Sequence, residues 1–318
     1  MSRSKKIWLF AATALILLGI VLFTIAMTLN HWDFSKLSTV TYETNTTTIS
    51  NKFCNIYIET ETTDIIFALS NDDVCKVVCY EEENNIHSVT IQNDTLTIQS
   101  NKKWYDYIGI GWEISKITVY LPATEYNSLF ISENTGDIEI SNDFQFQNIT
   151  ISTSTGDIKN FASVLENLKI KTSTGDVYIK NISAKTMSIS VSTGNVDIIS
   201  ATCEEDLEIN VSTGKAKISD ISCKNMISTG TTGDIALLNL IAEERISIHR
   251  NTGDVKFDGC DANEIFIKTS TGDVFGSLLS EKLFVTESNT GKITVPKNTI
   301  GGRCEITTDT GDIKITIK

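Results

Sequence analysis

Thr-Gly stands at ten evenly placed points in the last 184 residues of this chain. The glycines are Gly136, Gly156, Gly175, Gly194, Gly214, Gly233, Gly253, Gly272, Gly291 and Gly311, and every gap is 19 or 20 residues. A period so regular, with no helix-length apolar segment inside it, specifies a stack of short β-units rather than a fold closed once around a core.

Two residues after each glycine the side chain is apolar: Ile138, Ile158, Val177, Val196, Ala216, Ile235, Val255, Val274, Ile293 and Ile313. Most units repeat this two residues later, and again seven and five residues before the glycine, as in Leu129 and Ile131. Period-two alternation on a β-branched background is a half-buried strand. Each unit therefore reads as a strand, a sharp corner, a second strand and a looser return. One unit cannot cover its own inward side chains, so the units must stack. The predicted fold is all-β, a single-stranded parallel β-solenoid of about ten 19–20-residue rungs, roughly 48 Å long at about 4.8 Å per rung. A propeller blade needs about 40 residues, and a sandwich gives no reason for so strict a register.

The corner has two readings. Aspartate follows the glycine at seven of the ten points, with Asn195, Lys215 and Lys292 at the others. Glycine tolerates a positive φ, and Asx side chains bond to nearby backbone N–H groups, so the pattern fits turn chemistry. Alternatively Asp137, Asp157, Asp176, Asp234, Asp254 and Asp273 form a carboxylate ladder that collects structural calcium. The two lysines favour the turn, because a cation-binding ladder should not contain them.

The N-terminus supplies the address. Arg3, Lys5 and Lys6 precede residues 7–29, a run of 23 without a charge, about 34 Å as a helix and enough to cross a bilayer. The run exceeds the apolar core of a secretory signal, which favours an uncleaved membrane anchor. The basic flank places the N-terminus in the cytoplasm and the rest outside. The predicted division is a cytoplasmic tip (1–6), an anchor (7–29), a tether (30–36), a degenerate β-domain or cap (37–127) and the regular solenoid (128–318).

Within 37–127, Ile56, Ile58, Thr62, Thr63, Asp64, Ile65 and Phe67 match a rung whose glycine has become Thr63. Trp104, Tyr105, Tyr107 and Trp112 belong to the densest aromatic cluster and read as cap packing, a partner surface or a membrane contact. At the other end, the strand after Gly311 reads as a partly open last rung, guarded by Lys314 and Lys318, through which copies could associate end to end. Seven cysteines imply no disulfide scaffold in a chain this long. Cys203 and Cys223 fall in a slot shared with Ala184, Ala242 and Ala262, and read as vertically stacked buried thiols.

The run Ile117-Thr118-Val119-Tyr120-Leu121-Pro122, followed by Leu129-Phe130-Ile131-Ser132 and Asn134-Thr135-Gly136-Asp137-Ile138, resembles a family of bacterial adhesin-like proteins. These carry a β-strand-repeat domain of unknown function, often behind one transmembrane helix. The resemblance covers roughly residues 40–318. It implies a right-handed solenoid at the bacterial cell surface and offers no catalytic residues to carry over.

The residues themselves nominate no catalytic group and no cofactor. Units that vary by one residue leave no room for the long loops of a polysaccharide-active β-helix enzyme. His31, His87 and His249 read as too scattered for a zinc site, and His249 reads as outward. The formal charge is −13; removing the +3 of Arg3, Lys5 and Lys6 leaves −16 on the outer part, which repels nucleic acid and anionic lipid. The expected function is a non-catalytic adhesion, binding or envelope-sensing module facing a surface protein or glycan, with a spacer rod as the alternative.

Overall fold

The computed structural model describes residues 3–33, 38, 40–100, 113–298 and 300–318. Arg3–Leu29 is one helix of 27 residues, long and apolar enough to cross a membrane. Thr13, Thr24 and Thr28 return their hydroxyls to carbonyls four residues back at 2.7–2.9 Å. Their polarity is thereby hidden within the helix.

The rest is a β-solenoid. Strand Gln145–Thr155 pairs in parallel with Glu125–Thr135 on one side and Ser163–Thr174 on the other, and the pattern continues along the stack. Ile138, Ile158, Val177, Val196, Ala216, Ile235 and Val255 are successive register partners, each at most 1% exposed. Each rung holds more than the alternation revealed. Three residues before the glycine lies a third inward column, in which Thr153, Thr172, Val191, Val211, Arg250 and Thr269 are all buried. Six residues after it comes a second corner, made by left-handed residues at Asn181, Ser200, Asp220, Asn239 and Gly259 (φ 50–64°). Beyond that corner Ala184, Cys203, Cys223 and Ala242 stack as neighbours. Cys203 and Cys223 are indeed buried free thiols.

Spatial order departs from chain order at both ends. Near the C-terminus Val274 pairs with Ile313, and Ile313 in turn with Ile293. Gly272 N–H donates to Thr310 O at 2.9 Å, and Gly311 N–H to Thr290 O at 3.0 Å. The Gly311 rung is therefore inserted between the Gly272 and Gly291 rungs. Ile313 and Lys314 are thereby paired on both sides, whereas among the described residues Ile315, Thr316 and Ile317 pair only with Gly276, Ser277 and Leu278. The strand after Gly311 is thus partly open, as expected; outside its first half lies the bare rung, Lys282–Thr294, paired on one side only. Its members Leu283, Val285 and Ile293 are 42%, 52% and 39% exposed. Ile293 thus leaves the otherwise dry inward column.

The N-terminal end mirrors this exchange. Asn55–Glu59 lies between Thr95–Ser100 and Glu125–Thr135, and Thr63–Leu69 between Ser115–Leu121 and Ile138–Ile140. The Thr63 rung is thus inserted ahead of the Gly136 rung, with a later stretch of chain outside it. Here, however, antiparallel strands close the stack. Cys75–Glu82 pairs with Ser115–Leu121 and carries Tyr42–Ile49 on its far edge, while His87–Gln92 pairs with Thr95–Ser100. Antiparallel strands thus cover the outermost parallel rung, and Tyr42–Ile49 and His87–Gln92, each paired on one side among the described residues, become the edges.

Candidate functional site

The Thr-Gly-Asp corner is a hydrogen-bond relay. Asp137 N–H donates to Asp64 Oδ1 at 2.9 Å, Asp157 N–H to Asp137 Oδ1 at 2.8 Å, and Asp176 N–H to Asp157 Oδ1 at 2.8 Å. The relay runs on through Asn195 and Lys215, and resumes from Asp234 through Asp254, Asp273 and Asp312 to Lys292. Each side-chain oxygen satisfies the backbone of the next rung. Asn195 serves as well as aspartate because its amide oxygen accepts. Lys292 stands on the bare rung, where no neighbour needs an acceptor. Lys215 interrupts the relay and instead pairs its ammonium with Asp234 Oδ2 at 3.1 Å. That lysine and the Asp254 N–H hold the Asp234 carboxyl below the usual carboxylate range, with the N–H the larger cause. Glycine is required here by close approach: a Cβ on Gly156 would lie 1.9 Å from Gly136 O, at φ +143°.

The lateral surface is shallow. A depression of about 450 Å³ is lined by Asp206, Asn225, Glu244, Arg245 and Glu264 among others. Arg245 pairs with Glu264 at 3.0 Å and lies over the Phe266 ring. His249 is exposed, as its alternation implied. Its neighbour Arg250 is 0% exposed. The guanidinium donates to Val211 O at 3.1 Å and Ser228 Oγ at 3.0 Å, and its Nε has no partner. Space comes from Gly230, an extra Thr-Gly glycine out of the register, where a Cβ would sit 1.7 Å from Arg250 Nη1. Ser228 and Gly230 thus stand where other rungs place isoleucine and a larger residue, and they explain an irregularity that strand alternation left unread.

The richest buried polar region is at the capped end. Glu133 is 4% exposed; its Oε1 accepts Thr63 N–H at 3.0 Å, and its Oε2 has no partner. Burial, with lesser help from Asp64 and Asp137, pushes its carboxyl up to about 8. Beside Thr63, the His87 ring Nε2 lies 3.5 Å from Thr63 Oγ1, and its Nδ1 meets Glu81 Oε2 at 2.6 Å. The three histidines are scattered along the sequence, but the cap brings His87 to a carboxylate and to Cys79. Trp104, Tyr105, Tyr107 and Trp112 lie outside the described residues.

Comparison with known proteins places the fold. A search among curated proteins finds no match. The solved structure of a "putative lipid binding protein" from Parabacteroides distasonis is similar at 18% identity, covering 75% of this chain and 95% of its own, with a TM-score of 0.51. That of a "putative adhesin" from Bacteroides fragilis matches at 17% identity over 87% of this chain and 97% of its own, with a TM-score of 0.44. At such identity the first likeness speaks for the fold alone. The family model described as Toastrack DUF4097 matches residues 53–207 and 198–318. Those matches take in the inserted Thr63 rung, the capping strands Cys75–Glu82 and His87–Gln92 and the whole glycine stack, and the chain belongs to the Toastrack DUF4097 family.

Proposed function

We propose that this chain is a membrane-tethered, extracytoplasmic solenoid acting as a non-catalytic adhesion, binding or envelope-sensing module, with its N-terminus in the cytoplasm. The observation that carries the reading is the inequality of the two ends. The end nearer in sequence to the apolar helix is closed by antiparallel strands, while the other presents Leu283, Val285 and Ile293 on a rung that, among the described residues, is paired on one side only. A rod held at one end with a bare apolar strand at the other is built to make contact at a distance. The similarity to proteins named as adhesins and lipid binders agrees with a binding role. The relay of corners uses its carboxylates on backbone N–H groups, which leaves structural calcium as a secondary reading.

The partner that suits the bare rung is a second copy of the chain, since one unpaired strand is a template for another. Proteoliposomes carrying the full chain should cluster, and Val285→Lys with Ile293→Lys should abolish clustering without loss of folding. Clustering unchanged by the substitutions moves contact to the lateral faces. No association of wild type leaves the binding of a different surface molecule, or a spacer rod, as the surviving readings. Orientation is checked by protease added to intact cells, which should digest the chain beyond Asn30 and spare the extreme N-terminus.

A further inference from the structure

Strand Cys75–Glu82 alternates strictly between buried and half-buried positions, so Cys75, Val77, Cys79 and Glu81 all face inward. A carboxylate in that series is out of place. Glu81 is 1% exposed, and an unpaired charge at such depth is costly. The turn that follows brings the next strand, His87–Gln92, back with its first side chain buried against the same point. Glu81 Oε2 accepts the His87 backbone N–H at 2.7 Å and contacts His87 Nδ1 at 2.6 Å, while Asn45 Nδ2 donates to Oε1 at 2.9 Å. Cys79 completes the group: one ligating atom from each of Cys79, Glu81 and His87 lies within 4.8 Å of the other two, and all three residues are buried.

We propose that Cys79, Glu81 and His87 form a binding site for a divalent metal ion of the zinc class, with three protein ligands and one position left for water or another donor. Three physical arguments carry this. Bonds of about 2.0–2.3 Å at a tetrahedral centre set ligand atoms roughly 3.3–3.8 Å apart. The histidine–glutamate contact, 2.6 Å, would open by less than about 1 Å to reach that, and the Cys79 sulfur, within 4.8 Å of both, would close by no more than about 1.5 Å. The donor set of thiolate, imidazole and carboxylate suits zinc and disfavours calcium or magnesium, which take oxygen ligands. Finally, the charges close: a dication with one thiolate and one carboxylate is neutral, as a dry site requires. Asn45 on Glu81 and Thr63 near His87 Nε2 stand where outer partners orient metal ligands.

Without metal the thiol is neutral, since burial, aided by Glu81, pushes it up to about 12. Uptake of the ion would therefore release that proton as the metal–sulfur bond forms. The site lies where the two capping strands meet, on neighbouring faces of the stack. Its occupant would pin the closed end of the solenoid.

The test uses the full chain in detergent, stripped with chelator and then titrated with Zn²⁺ and, separately, Co²⁺. One equivalent of zinc per chain, a thiolate-to-cobalt charge-transfer band and a raised melting temperature are expected. Cys79→Ser and His87→Gln should each weaken zinc by more than the roughly 10–100-fold that loss of an outer partner costs. Cys75→Ser, on the same face of the same strand, should leave uptake unchanged. Failure of the wild type to take up stoichiometric zinc against a weak competing chelator would overturn the site, whatever the variants do. So would a cobalt–thiolate band that persists in folded Cys79→Ser.

Discussion

At the N-terminal end, Ile117, Val119 and Leu121 are fully buried beneath antiparallel strands, and the outermost parallel rung has no bare face toward Cys75–Glu82. At the opposite end, Ile293 holds the place in its rung that Ile138 and Val196 hold in theirs, yet it is 39% exposed. Both ends use the same exchange, in which a neighbouring stretch of chain is slotted inside the outermost rung. They differ only in what lies beyond it. Position in the repeat therefore decides which way a side chain points, while position in the stack decides what burial is worth.

The largest expected effect breaks or confirms that statement within a single column. Val196→Asp puts an unpaired charge into a mid-stack strand and should cost more than about 4 kcal/mol. Ile293→Asp, at the equivalent position on the bare rung, should cost less than about 1 kcal/mol, because water already reaches it. Denaturant melts of the two variants check the contrast; equal losses would mean that the Gly291 rung is covered.

Next in size is the buried guanidinium. Gly230→Ala drives a methyl into Arg250 and should cost about 1–3 kcal/mol. In an Arg250→Thr background, which restores the residue type of Thr269 in the neighbouring rung, the same change should cost less by the part due to the guanidinium, while the 2.4 Å approach of the new Cβ to Val211 O remains. A double-mutant cycle that shows no coupling would place Arg250 elsewhere.

The capped end has its own signature in pH. Glu133 keeps its proton in the folded protein to about pH 8, whereas an unfolded glutamate loses it near pH 4.3. The native state thus binds the extra proton between these values, and its stabilising effect is lost as pH rises through the window, at up to about 1.4 kcal/mol per pH unit. Glu133→Gln should flatten that slope, and an unchanged profile would remove Glu133 from the buried cluster.

The smallest effect belongs to the corners. Asp157→Asn should change stability by less than about 0.5 kcal/mol, since Asn195 already does the same work. Asp157→Ala leaves the Asp176 N–H without its acceptor and should cost about 1 kcal/mol. A saturable calcium-dependent rise in melting temperature, lost in Asp157→Asn, would instead favour the metal-ladder reading.

The glycine register made the solenoid legible from sequence, and the apolar residue after each corner named its core. Even the rung without a glycine was readable, because Ile56, Ile58, Ile65 and Phe67 keep the period around Thr63. The third inward column escaped because it mixes chemistries: Thr153, Val191, Glu133 and Arg250 share no hydropathy signal. The second corner escaped because Asn181, Ser200, Asp220 and Gly259 share only a backbone conformation. Register says which residues are level with one another but not which rung lies above which, so the exchanged ends had no sequence signature. The Cys79–Glu81–His87 cluster is likewise a product of the cap, since a turn and a change of face separate its members.

Rung order is the claim on which the comparison of the ends depends, and cysteine pairs test it directly. Thr271, Thr290 and Thr310 are all exposed, and Thr310 is the register partner of both others. Thr271 and Thr310 should thus lie about 4.8 Å apart, and Thr271 and Thr290 about twice that. Under mild oxidation the double variant Thr271→Cys/Thr310→Cys should form an intramolecular disulfide, and Thr271→Cys/Thr290→Cys should not, because its Cα separation exceeds the range a disulfide spans. The opposite outcome, a link from 271 to 290 and none from 271 to 310, would restore simple chain order and contradict the exchanged end.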